Sequence, residues 1–167
     1  MWRSYIAFPL LGIVAIVQSA ILSRITLLHG YADLMLVVLA AWGLQAGVES
    51  PWHWAVLGGL LVGFISKAPW PTILVGYLLL TMFAQVLQRR VWQAPLLAMF
   101  TITFIGTLVM NLLVFASLQI LGSPIVFSEA LGLVILPSML LNLLLAIPVF
   151  FLMRDLARWA FPSSEEE

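Results

Sequence analysis

Apolar residues run through this chain in six long blocks, at 5–23, 32–47, 52–66, 72–88, 94–121 and 130–153. They do not alternate as in a half-buried strand, nor keep to the single stripe of a surface helix. Breaks rich in proline, glycine or charge separate them, at Glu49-Ser50-Pro51, Pro69-Trp70-Pro71-Thr72 and Gly122-Ser123-Pro124. A helix crosses a bilayer with about 17–25 apolar residues. The pattern therefore predicts an all-α integral membrane protein, a six-helix transmembrane bundle forming one domain over residues 1–167, with a polar acidic tail at 160–167. The first block, behind Arg3, extends to Leu22 and no A-x-A site follows it, so it reads as a retained helix rather than a cleaved leader. The block at 52–66 is short. With Trp52 and Trp54 at one end and Lys67 and Trp70 at the other, it reads as a tight span rather than a re-entrant piece. The fifth block is long and reads as tilted.

Within the blocks, small and polar residues recur at helical spacing. Ala40, Gly43 and Gly47 mark one side of the second helix, and Ala55, Gly59 and Gly63 one side of the third. Gly43-x-x-x-Gly47 and Gly59-x-x-x-Gly63 have the spacing that lets helix backbones approach closely in lipid. The two helices read as a hairpin with small-residue faces, which pack the chain against itself or receive a partner helix. Polar stripes appear as Thr81, Gln85 and Gln88 in the fourth helix, Thr103, Thr107 and Asn111 in the fifth, and Ser138 and Asn142 in the sixth. In lipid such groups face a neighbour, so Asn111 and Asn142 are candidate structural polar residues, with a substrate-binding role as the alternative. Pro137 and Pro148 each remove a backbone donor from the sixth helix and predict a bent, buried helix. Asp33 is the one acid inside an apolar block. At a helix N-terminus it is expected to pair with Arg24 or to accept backbone N–H groups.

Composition and charge narrow the class. The chain is 63% hydrophobic and 8% charged, which no water-soluble core of this size accommodates. Seven basic residues balance seven acidic ones, so there is no electrostatic footprint for nucleic acid. With the N-terminus inside, Arg3, Arg89, Arg90, Arg154 and Arg158 fall on the inner side and only Arg24 and Lys67 on the outer, which puts both termini in the cytoplasm. There is no cysteine, and His29 and His53 fall at opposite faces. No H-E-x-x-H, G-x-S-x-G or P-loop occurs, and Asp33 with Glu129 is a weak carboxylate pair. The expectation is a non-enzyme without cofactor or metal.

The order of motifs resembles the MreD family of rod-shape membrane proteins. The residues that carry the likeness are Asp33-Leu34 with Ala41-Trp42-Gly43-Leu44, then Leu57-Gly58-Gly59-Leu60-Leu61, Pro69-Trp70-Pro71-Thr72, Val75-Gly76-Tyr77 and, in the last helix, Leu136-Pro137, Asn142 through Pro148, Phe150-Phe151, Arg154 and Arg158. The likeness covers nearly the whole chain. Two departures stand out: Gly63 where the family often has an acid, and Pro-Trp-Pro where it usually has Pro-Leu-Gly. The resemblance implies a scaffold in the bacterial cytoplasmic membrane. It would bind a single-pass MreC-like partner and act with the MreB filament and the peptidoglycan glycosyltransferase and transpeptidase of cell elongation. It also implies a fold similar to the substrate-binding components of energy-coupling-factor vitamin transporters, which supplies the alternative function. Membrane lipids are the remaining expected partner.

Overall fold

The computed structural model describes residues 6–45, 48, 51–90 and 94–160. Among these the chain forms helices α1 (Ala7–Ala20), α2 (Leu34–Gly43), α3 (Pro51–Ile65), α4 (Trp70–Arg90), α5 (Pro95–Ile120) and α6 (Phe127–Ala160). Between α1 and α2 come a 3-10 turn, Leu22–Arg24, and a two-stranded antiparallel hairpin, β1 (Thr26–Leu27) with β2 (Gly30–Tyr31). Four stretches, Ala7–Arg24, α4, α5 and α6, are long and apolar enough to cross a membrane. The protein is an all-α, multi-pass membrane protein. Phe64, Leu144 and Leu152 are 83%, 65% and 64% exposed, so large apolar side chains form its outside as well as its core.

Helix ends follow local chemistry. Pro71 and Pro95 sit in the first turns of α4 and α5, where no backbone donor is needed. α5 stops at a left-handed Gly122 (φ 85°), with Gly122 N–H donating to Gln119 O (3.0 Å) and Ser123 N–H to Leu118 O (2.9 Å). This is the Schellman pattern that satisfies the last carbonyls.

The second apolar block departs from its expected span of 32–47. Its helix, α2, has 10 residues, and nine of them, Met35 to Gly43, are buried. At 1.5 Å per residue it is about 15 Å long, half the hydrocarbon thickness. It is a central element wrapped by the other helices. Hydropathy alone does not distinguish such a helix from a lipid-facing one, since both are apolar all round.

The third block, expected as a tight span, forms α3 with 15 residues and is not among the four stretches long enough to cross; its glycines face α4. A Cβ on Gly59 would lie 2.8 Å from Leu74 Cδ1, and one on Gly63 2.9 Å from Trp70 Cβ, both in α4. Gly43 of α2 likewise meets Ala84 of α4 at 2.8 Å. The contact between α2 and α3 runs instead through Gly58, which lies under Met35 and Leu39, and through stacked Trp42 and Trp54 rings 4.1 Å apart. Ala40 and Ala55 are fully buried, and Gly47 lies outside the described residues.

α6 contains a wide π-helical turn, Leu131–Ile135, directly before the buried Pro137. Pro148 is exposed within the same helix.

Candidate functional site

The chain leaves the hairpin in an extended strip, 29–33, laid along α6. In an extended chain alternate residues point the same way, and here the N–H groups of the odd residues all donate to α6. His29 N–H donates to Leu133 O (3.0 Å), Tyr31 N–H to Ser138 Oγ (3.2 Å) and Asp33 N–H to Asn142 Oδ1 (2.7 Å). In an α-helical register Leu133 O would take the N–H of residue 137, which proline lacks, so Pro137 leaves that acceptor for the strip. Gly30 lies where the strip touches the helix: a Cβ there would be 2.7 Å from Ser138 N and 2.8 Å from Val134 O. The polar stripe of the sixth block is thus met by backbone from a connecting segment as well as by another helix. Non-helical backbone away from water needs such partners.

Asp33 ends the strip and starts α2. Its Oδ1 accepts the Leu36 N–H at 3.0 Å, as an N-cap. The Tyr77 hydroxyl of α4 donates to both carboxylate oxygens, at 2.8 and 3.0 Å. Gln18 Oε1 of α1 accepts the Met35 N–H, two residues on, at 2.8 Å. Behind the strip, Asn142 Nδ2 donates to Thr107 Oγ1 of α5 at 2.9 Å. One network therefore joins α1, the start of α2, α4, α5 and α6. At the other end of α2, Gln88 Nε2 of α4 donates to Gln45 O at 2.6 Å. Both ends of the short central helix are closed by side chains from its neighbours.

Of the two expectations for Asp33, the backbone one is realised. The pairing with Arg24 is not: among the described residues the one ion pair is Arg154–Asp155, at 3.6 Å. Asn142 is fully buried at the centre of the network, whereas Asn111 bonds back to Thr107 O of its own helix at 2.9 Å. Tyr77 and Tyr31 were not singled out as site residues by the sequence reading. A lone tyrosine inside an apolar helix was the available signal, because a buried hydroxyl requires a partner.

Asp33, Tyr77 and Gln18 also line a cavity of about 550 Å³ at the hairpin end of the bundle. Its walls are apolar (Val62, Ile73, Met110, Val114) and its other polar lining includes Tyr31, Ser66 and Lys67. A second chamber of about 380 Å³, lined by Asn111 and Phe115, shares Tyr31, Ser66, Lys67, Ala68 and Val114 with the first. Concave, mainly apolar spaces of this size with a few convergent polar groups suit a small ligand. Compared with family models, curated proteins and solved structures, the chain matches none of them.

Proposed function

We propose that this protein is a non-enzymatic scaffold of the bacterial cell-elongation machinery, resembling MreD, that binds an MreC-like single-pass partner in the cytoplasmic membrane. The observation that carries this reading is the convergence of motifs. Asp33, Tyr77 and Asn142 come from three separate stretches on which the resemblance rests, and they meet in one hydrogen-bonded network. A set of short motifs that assembles one architectural joint is what a shared fold requires. On this reading all six helices traverse or fill the membrane, both termini are cytoplasmic, and the hairpin end faces outward. The MreB filament and the glycosyltransferase and transpeptidase are further partners.

Ala40, Gly43, Ala55, Gly59 and Gly63 are covered by the chain itself. The partner's helix accordingly docks on another, lipid-facing surface. Co-expression with an MreC-like protein, followed by affinity purification in detergent, tests the reading. A stoichiometric complex is expected; recovery of the bundle alone in repeated purifications counts against it. Orientation is tested separately with Ser123→Cys and Arg90→Cys in this cysteine-free chain. An impermeant thiol reagent applied to intact cells is expected to label the first and not the second.

The cavity favours a second reading, a substrate-binding component of an energy-coupling-factor vitamin transporter. A vitamin released in stoichiometric amount from the purified protein, with no single-pass partner recovered, would replace the scaffold by this alternative.

A further inference from the structure

The Asp33 carboxylate is held by neutral donors, the Leu36 N–H and the Tyr77 hydroxyl. Both groups donate to it, so its oxygens act as acceptors here. No cation pairs with it among the described residues. The carboxylate lines the cavity between apolar walls, where a cation placed beside it would be weakly screened. Two tyrosines, Tyr31 and Tyr77, line the same space. Lys67 is exposed, lines both chambers and makes no ion pair among the described residues.

We infer that the cavity is a binding site for a zwitterion with a primary ammonium group and an anionic group, the ammonium directed to Asp33 and the anion to Lys67. A primary ammonium carries N–H donors that a carboxylate and phenol oxygens accept; a quaternary ammonium has none. The lining hydroxyls of Thr26 and Ser66 have a proton to offer the anionic end, since the Ser66 oxygen accepts the Ala68 N–H and donates to no group among the described residues. The same chemistry occurs in a free solute and in the headgroup of an aminophospholipid. The inference rests on the cavity behind the second reading but requires neither transport nor the MreC-like partner.

The test uses the full chain in phosphatidylcholine nanodiscs, with phosphoethanolamine as probe and phosphocholine and inorganic phosphate as controls. Phosphoethanolamine is expected to raise the unfolding temperature saturably, with apparent affinity at least tenfold above either control. Asp33→Asn is expected to abolish the shift. Because Asp33 also caps α2, the exposed Lys67→Glu gives the independent variant: it is expected to keep the unliganded unfolding temperature and weaken the probe at least tenfold. Phosphatidylethanolamine nanodiscs separate the sources. If they raise the unfolding temperature and block the probe, the ligand is the lipid headgroup; if they behave as phosphatidylcholine discs, it is the solute. No saturable shift, equal protection by a control, or an unaltered affinity in Lys67→Glu overturns the inference. Failure here leaves complex formation with the MreC-like partner untouched, so the two proposals fall separately.

Discussion

The strip against α6 and the seam between α3 and α4 join the bundle in opposite ways. Along the strip, extended backbone is held by three donated hydrogen bonds, to Leu133 O, Ser138 Oγ and Asn142 Oδ1. Along the seam, two regular helices satisfy their own backbones and meet because Gly59 and Gly63 have no side chain opposite Leu74 and Trp70. Lipid tails give no hydrophobic gradient between helices, so close packing sets the seam's distance. Hydrogen bonds set the strip's register, because each of the three N–H groups meets its own acceptor on α6. A seam tolerates small adjustments of two rigid rods. The strip has none to make, since α6 fixes each acceptor.

Five substitutions, the last of them a control outside both joints, separate these two kinds of joint. Gly30→Val should do the most damage. Its Cβ would fall 2.7 Å from Ser138 N and 2.8 Å from Val134 O, which are backbone atoms that cannot swing aside. Lifting the strip also forfeits hydrogen bonds worth about 1 kcal/mol each, so a loss of about 3 kcal/mol or more is expected. Thermal unfolding followed by size-exclusion chromatography in detergent reads it, and a wild-type profile would mean that the strip is not seated as described.

Asn142→Leu comes next. It strands the Asp33 N–H and removes the partner of the Thr107 hydroxyl, at about 1–3 kcal/mol for a stranded buried group. Thr107→Val in the same background should recover part of the loss. Strict additivity of the two changes would argue against a shared network.

Gly59→Leu and Gly63→Leu overpack the seam by about 1–3 kcal/mol. At Gly59 the added Cβ meets the backbone Cα of Leu74 at 3.0 Å as well as its side chain, so the two helices must part slightly. If these variants matched Gly30→Val in severity, the contrast between seam and strip would collapse.

The smallest effect belongs to Gly12→Ala in α1. Nothing lies within 4 Å of a Cβ there. Better helix propensity should then give no loss and a gain of at most about 1 kcal/mol. A clear destabilisation would reveal an unrecognised contact on that face.

The sequence by itself determined the class of protein and most of its rods. Long apolar blocks in a chain with few charges leave no folded alternative to membrane helices, and the blocks at 72–88 and 94–121 correspond closely to α4 and α5. Asp33 as a helix N-cap was also legible, because capping is a local matter between a side chain and an N–H three residues on. Small residues at spacing four announced close helix contacts at Gly59 and Gly63. Their partner was not legible: a missing Cβ opens space to any neighbour, and only the assembled bundle puts Leu74 and Trp70 there. The same holds for Ser138 and Asn142, whose spacing marks a polar face but not that extended backbone from 29–33 will lie on it. That α2 is a short, buried core helix was likewise decided in three dimensions. Hydropathy records that a side chain avoids water, and it does so identically whether the residue meets lipid or protein. Which of the two it meets depends on contacts between residues far apart in the chain, such as Asp33 with Tyr77 and with Asn142.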